Sequence, residues 1–415
     1  MLSFEQASSL VREKIQASRP QPASDRVPLA EARGRILGED IAADRDYPPF
    51  HRATRDGFAV SSTDVTQVPA TLEVVGLARA GHPYTASAAP GPGGAVEIMT
   101  GAPLPEGMDA VVMVEYTRAS GASGAGSSPP GRCMEALRSV QPFENVVRRG
   151  SEAAAGNRVL PRGRRLGPGE IGLAASVGRA ELSVFRRPQV AILPTGDEVV
   201  PADQQPAWFE VRNSNAIALA AQVEAAGGMP NPLAIAPDDK EALRSLMRKG
   251  LESDLLVLTG GISVGKYDFV AEALDELGAE FYLQGVAIRP GKPLAFGRAQ
   301  GRFFFALPGN PVSTFVTFEL FVRPAIALLG GAECECPVFL KARLGAPVRP
   351  NAGLSTFMPA RVQLEGGDPV VRLVGWQGSG DLVGLAEANC FLVIHPAPSD
   401  LAPGDWVDVL PRGSG

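Results

Sequence analysis

Apolar positions change their spacing along the chain, and the changes divide it. In the opening stretch MLSFEQASSLVREKIQ, Ala7, Leu10, Val11 and Ile15 recur at the spacing of one helix face, which predicts an amphipathic helix. A Pro-rich break at RPQPAS follows, and LAEARGRIL reads as a second helix. From about residue 41 to 142 the helical period gives way to short apolar runs, such as ATLEVVGLA and DAVVMVEYT, punctuated by Pro and Gly. That texture predicts a small all-β module. Within it residues 117–131, TRASGASGAGSSPPG, carry no apolar period and predict a disordered loop. GRRLGPGEIGLAASVG then predicts a short helix ended by Gly178.

After that the pattern becomes regular. PQVAILPTGDEVV is a strand running into a loop, and VRNSNAIALAAQVEAAGG is a helix capped by Asn213 or Asn215 with Gly227 beyond its end. Strand NPLAIAP precedes helix DDKEALRSLMRKGLE, whose first residues are acidic, as the helix dipole favours. Strand DLLVLTGG, helix FVAEALDELG, the apolar pieces VAIRPGKPLAFG and GRFFFALPG, and a long helix from Asn310 complete the alternation. Such alternation predicts a mostly parallel, doubly wound α/β domain over 185–331. The β texture returns in VFLKARL, PVVRLVGW, CFLVIHP and WVDVLP, so 332–412 should form a small β-barrel or sandwich. The fold class expected is therefore multidomain α/β plus β: a helical region of 1–44 with 143–184, a small β domain of 45–142, the central α/β domain, and a C-terminal barrel-like domain.

Composition narrows the function classes. The chain has 415 residues, 45% hydrophobic and 20% charged, an ordinary globular mix. A net charge of −6 and a pI near 5.4 argue against a nucleic-acid surface. The four cysteines are too scattered for a disulfide framework, and three histidines without a CxxC pair do not suggest zinc. The opening helix carries Glu5 and Glu13 and is no signal peptide, and TFVTFELFVRPAIALLGG is interrupted by Glu319, Arg323 and Pro324. A cytoplasmic chain with neither a nucleic-acid nor a membrane partner is expected.

Four Gly-containing turns fall at strand ends in the α/β domain: PTGDE (194–198), TGGISVGKYDF (259–269), IRPGKP (288–293) and LPGNPVS (307–313). Glycine lets a backbone approach a ligand closely, and ligands in such sheets bind beyond the carboxyl ends of the strands. Each turn alone reads as a tight turn; four on one sheet edge predict a shared anion pocket. TGGISVGKYDF nearly spells a phosphate-binding P-loop, but Tyr267 stands where the Mg²⁺-ligating Ser or Thr belongs. The turns also carry Asp197, Glu198, Asp238, Asp239 and Asp268. Acids facing an anion pocket make sense with a divalent cation between them, and Mg²⁺ suits one or two carboxylates plus phosphate oxygens. Asp238 and Asp239 read equally well as helix N-caps. Lys266, Arg289 and Lys292 supply positive charge.

Taken together, TRDGFAV (54–60), IMTGAPLPEGMDAVVMVE (98–115), PTGDEVV, NSN, PDD, TGGISVGKYDF, RPGKPLAFG and LPGNPVSTF resemble the molybdopterin molybdenumtransferase family, the molybdenum-insertion enzymes that include the E-domain of gephyrin. The resemblance spans most of the chain. It implies a homodimer, held partly by the N-terminal helical region, with the cleft between the α/β domain of one chain and the small β domain of the other. It implies adenylylated molybdopterin and molybdate as substrates, Mg²⁺ as cofactor, and release of AMP on phosphoanhydride cleavage. An adenylyltransferase would supply the substrate. By the same resemblance Asp56, Thr100, Glu198, Asp238 and Asp268 match functional polar residues, with Glu198, Asp238 and Asp268 as metal ligands. Ser263, Arg289, Lys292 and Ser379 match positions toward substrate or oxyanion, and Pro308 and Pro311 match a rigid turn.

The chain departs from the family at Arg55, Gly285 and Pro359. The adenylyltransferase itself is a rival reading, since its fold resembles this α/β domain, but it needs no extra domains of this size. A non-catalytic molybdopterin-binding scaffold is the other, and the acidic set Asp56, Asp238 and Asp268 disfavours it.

Overall fold

The structure is a computed structural model, and it describes residues 1–18, 22–85, 88–120, 132–261, 269–333, 336–351, 353–396 and 400–412. The chain forms two compact units: residues 1–39, 162–167 and 181–415, and residues 40–161 with 168–180.

At the centre of the first unit is the expected α/β layer. Its elements are α1 (Phe4–Ser18), β1 (Gln189–Pro194), α2 (Ser214–Ala225), β2 (Met229–Pro232), α3 (Lys240–Gly250), β3 (Leu255–Thr259), α4 (Phe269–Glu276), β4 (Glu280–Gln284), β5 (Ala295–Ala299), β6 (Arg302–Leu307) and α5 (Pro311–Leu329). The strands pair in the order β2-β1-β3-β6-β5-β4, parallel from β2 through β6 and antiparallel at β5 and β4. Alternate residues of each strand enter separate cores, as the two-residue period requires. Val190, Ile192, Val257 and Phe305 face α1, α2 and α5, whereas Ala191, Leu193, Leu258 and Phe304 face α3 and α4. Near-continuous apolar strands such as LLVLT follow from burial on both faces.

Helix α5 is apolar and long enough to cross a membrane by length and composition, yet 78% of that stretch is buried inside the protein. It is the core helix of this unit. A π-helical stretch, Phe318–Val322, interrupts it, and Glu319 in that stretch is neutralised where it lies: its carboxylate accepts from Gln222 Nε2 at 2.7 Å and from Arg323 Nη2 at 3.2 Å. Glu319 and Arg323 thus sit in the helix as an internal ion pair.

The C-terminal strands close into a barrel. The order is Ile288–Arg289, Ser355–Glu365, Asp368–Leu373, Leu340–Leu344, Trp406–Pro411, Cys390–Ile394, and Ser355–Glu365 also pairs with Cys390–Ile394. Closure removes the sheet edges. Phe357 and Phe391 turn into the core of the α/β layer, and the Ile288–Arg289 strand ties the RPGK turn to the barrel wall.

In the second unit a six-stranded sheet runs Ala110–Met113, Gly57–Val60, Gly94–Ile98, Ala70–Ala78, Cys133–Ala136, Thr117–Ser120. Thr117–Ser120 corrects the expectation of a structureless 117–131. The alternation there is too short to see in sequence, but its residues pair antiparallel with Cys133–Ala136. Residues 121–131 of that segment lie outside the described residues. The expected short helix appears as Pro168–Ser176, with Gly178 at φ +78° after it.

Two further expectations differ. LAEARGRIL does not form a helix: only Leu29–Glu31 makes a 3-10 turn, after which Ile36 bridges to Arg165 and Leu37 to Val184. Long-range pairing outweighs local helix propensity here, and Ser24–Pro28 joins it as a strand along Glu181–Phe185. The region 143–184 is accordingly mostly short strands with one helix.

Candidate active site

At the carboxyl ends of β1, β3 and β6 the chain opens a cleft of about 710 Å³. Thr195, Glu198, Asn213, Asn215, Gly260, Pro293, Pro308 and Asn310 are among its walls. All four Gly-containing turns therefore contribute to one cavity. The turns also touch each other: a Cβ on Gly309 would stand 3.5 Å from the Gly260 Cα, and Gly260 and Gly261 both adopt positive φ, +98° and +70°. Only glycine tolerates that backbone without strain.

The NSN segment divides its work. Asn213 caps α2, its side chain accepting from Ala216 N at 3.1 Å. Asn215 instead donates to Thr259 Oγ1 at 3.0 Å and to the Gly309 carbonyl at 2.7 Å, tying the NSN, TGG and LPGN turns together. Among the residues that sequence reasoning did not single out as site residues, Asn215 has the clearest positioning role; the motif NSN was visible, but its partners are not local.

The acids separate in the same way. Asp239 caps α3, accepting from Ala242 N at 2.8 Å. Asp238 does not cap; its backbone N–H donates to Asp197 Oδ1 at 3.0 Å. Partial desolvation first, and then repulsion from Asp197 and Glu198, raises the Asp238 carboxyl above its ordinary value. Like charges this near disfavour the ionised form. Among the described residues, no group of three or more acidic, His or Cys side chains is close enough to hold a metal alone. Asp268 and Ser263 lie outside the described residues, as does Lys266.

On the basic side, Arg289 and Lys292 are exposed and make no ion pair among the described residues, and Pro293 of their turn lines the cleft. Exposed cations without an ion-pair partner are available to an anion. Ser379 comes from the barrel: its Oγ accepts from Asn310 Nδ2 at 2.9 Å and its carbonyl from Val312 N at 2.9 Å. Gly380 and Leu382 after it line the cleft. Of the departures, Gly285 sits at φ +83°, where a basic side chain would be strained, and Pro359 lies in the barrel strand Ser355–Glu365, opposite Phe391. Arg55 is exposed.

Asp56 and Thr100 belong to the second unit. Asp56 precedes Gly57–Val60 and Thr100 follows Gly94–Ile98, so the register Gly57↔Ile98 brings them together. Gly57 itself allows no side chain, because a Cβ would lie 2.0 Å from the Val112 carbonyl oxygen. The Asp56 carboxyl accepts from the Thr100 N–H and hydroxyl, which lower it below its ordinary value, the backbone bond most.

Comparison with known proteins agrees in all parts of the chain. The profile of the MoeA N-terminal region (domain I and II) matches residues 2–178, that of a probable molybdopterin binding domain matches 191–328, and that of the MoeA C-terminal region (domain IV) matches 341–411. A molybdopterin molybdenumtransferase of Bacillus subtilis is 34% identical over 92% of this chain and 89% of its own. One of Haemophilus influenzae is 32% identical over 99% of this chain and 98% of its own. The crystal structure of the molybdopterin biosynthesis MoeA protein from Pyrococcus horikoshii covers 100% of both chains at 31% identity and a TM-score of 0.74.

Proposed function

Because the chain belongs to the molybdopterin molybdenumtransferase family, we propose that it inserts molybdenum into molybdopterin, taking adenylylated molybdopterin and molybdate and releasing AMP in a Mg²⁺-dependent step. The observation that carries this reading is the meeting of the PTGDE, TGG, RPGKP and LPGN turns in one 710 Å³ cleft. A cavity of that size suits a small organic ligand. Of the acids, Glu198 lines this cleft, and the RPGKP turn reaches it through Pro293.

In this reading Arg289, Lys292, Ser263 and Ser379 hold phosphate or molybdate oxygens. Glu198, Asp238 and Asp268 would hold Mg²⁺ together with phosphate oxygens, and the raised Asp238 carboxyl is the feature of this chain that fits a cation there. Bound Mg²⁺ neutralises charge on a cleaving phosphoanhydride. The chain acts as a homodimer, in which the Asp56–Thr100 pair of one protomer completes the cleft of its partner. The reaction runs in the cytoplasm on substrate from an adenylyltransferase.

The test is incubation with adenylylated molybdopterin, Mg²⁺ and molybdate. AMP and active cofactor should form together, and Asp268→Asn should lower AMP release by about 10²-fold or more. An adenylyltransferase would consume ATP instead, and a scaffold would bind without turnover. Mixing Asp56→Ala with Asp268→Ala chains should restore some activity, because a heterodimer keeps one intact cleft; no restoration would remove the shared-cleft part of the reading.

A further inference from the structure

Arg212 stands one residue ahead of the NSN segment, in the wall of the cleft. Among the described residues that line this cleft it is the one basic side chain, and Glu198 is the one acid. Both are exposed. They belong to one short parallel ribbon, in which Val199–Val200 pairs with Val211–Arg212 and the Val211 N–H donates to the Glu198 carbonyl at 2.8 Å. Yet neither makes an ion pair among the described residues. Opposite charges that share a ribbon and stay apart suit a ligand that brings an anion to one and a cation to the other.

The guanidinium is anchored along one edge. Its Nε–H donates to the Gln204 carbonyl at 3.1 Å, and Nη2 donates to Gln205 Oε1 at 3.4 Å. Both acceptors are neutral, so the positive charge is not cancelled. A guanidinium carries five N–H donors in a fixed fork, and the end edge formed by Nη1 and Nη2 has no partner among the described residues. Gln204 lines a separate cavity of about 640 Å³, whereas Arg212 lines the cleft and not that cavity. The anchoring bonds thus lead away from the cleft and leave the end fork on its side. Ser214 and Asn215, in the first turn of α2, line the cleft as well, so the positive end of that helix adds to the field of the arginine.

We propose that the free fork of Arg212 binds a tetrahedral oxyanion in the cleft, the phosphate of the pterin or molybdate, taking two of its oxygens at once. The inference rests on the molybdopterin reading above and adds to it a binding residue outside the set of Arg289, Lys292, Ser263 and Ser379. Two-pronged bonds from a guanidinium to such an anion are charge-assisted, and they fix its orientation as well as its affinity.

The experiment compares the parent chain with Arg212→Gln and Arg212→Lys. Affinities for molybdopterin, handled without oxygen, and for molybdate alone are measured, together with the ligand-free melting temperature. Arg212→Gln should bind at least one of the two about tenfold more weakly, a loss of about 1.4 kcal/mol. Arg212→Lys keeps the charge without the fork and should recover only part of that loss. A loss confined to molybdopterin assigns the fork to the phosphate, and a loss confined to molybdate assigns it to molybdate. Both variants should melt close to the parent, since Arg212 is exposed. Unchanged affinity for both ligands in Arg212→Gln overturns the proposal. So does full recovery in Arg212→Lys, because a point charge would then be enough. An affinity loss that follows a lower melting temperature in both variants overturns it too, since Arg212 would then act by holding its loop. A parent chain that binds neither ligand would instead overturn the functional reading, and this one with it.

Discussion

Asp56 Oδ1 accepts two hydrogen bonds from one residue, Thr100: from its backbone N–H at 2.7 Å and from its hydroxyl at 2.9 Å. Both donors favour the ionised carboxylate, and they hold it below its usual range. With the folded pKa lowered, the pair contributes stability above the unfolded value of 3.8 and loses it as pH falls through the folded value. The carboxylate is thus fixed in position and charged throughout the neutral range.

Thr100→Val separates the two donors. It deletes the hydroxyl and keeps the N–H, which is the larger influence, so the Asp56 pKa should rise only part of the way toward its ordinary value. A carboxyl NMR titration reads this directly. A full return to the ordinary value would mean that the backbone bond needs the hydroxyl to form.

For Asp238 the sign is opposite. Its folded pKa lies above the unfolded 3.8, so between the two values the native state holds the extra proton. Stability is greatest below the unfolded value and falls as pH rises through the folded one. Asp238→Asn removes that slope and the repulsion from Asp197 and Glu198. At neutral pH without Mg²⁺ the variant should melt at the parent's temperature or slightly above it. A lower melting temperature would show that the bond the carboxyl accepts from the Asp197 backbone outweighs the desolvation and repulsion.

Much of this was legible because the signals are local. The alternation of apolar strands with capped helices marks the α/β domain, and the four glycine turns mark its working edge. What stayed hidden depends on partners distant in sequence. LAEARGRIL has helical propensity, but Ile36 and Leu37 pair with Arg165 and Val184, and no window of sequence contains both sides. The strand expected over NPLAIAP lies instead at Met229–Pro232, where the parallel pairing with β1 ends, and of Leu233–Pro237 only Ala236 bridges, to Thr195. NSN offered two caps; only the fold shows that Asn213 caps and Asn215 bridges.

The insert between the paired strands Thr117–Ser120 and Cys133–Ala136 should be dispensable. Residues 121–131 carry no apolar period or motif. The strands on either side are already in antiparallel register, so a short Gly-containing turn can replace the insert. Deleting 121–131 in this way should change stability by less than about 1 kcal/mol. Chemical denaturation measures it, and a larger loss would mean that the insert packs on the sheet. A deletion that starts earlier, at residue 119, should cost more, because it removes ladder pairs of the edge strand.

Asn215 gives the sharpest test of whether the cleft is held by its turns or merely lined by them. Its amide donates both to Thr259 Oγ1 and to the Gly309 carbonyl, and Thr259 Oγ1 in turn lies 3.5 Å from the Pro308 carbonyl. Asn215→Asp keeps the size and removes the donor. A carboxylate can still accept from the Thr259 hydroxyl, but it faces the Gly309 carbonyl with no proton between them, which converts a 2.7 Å bond into repulsion. The LPGN turn should then move away from TGG, whose glycines it closely approaches. The expected cost in stability is about 1–3 kcal/mol. Activity should fall further than stability alone explains, with a higher KM for the anionic substrate, because the displaced turn and the added negative charge both oppose it. Asn215→Gln, which keeps the donor on a longer arm, should recover part of the loss. If Asn215→Asp lowered the melting temperature but left KM and kcat at the parent's values, the bridge would be a support for the fold and not a positioning device for the cleft.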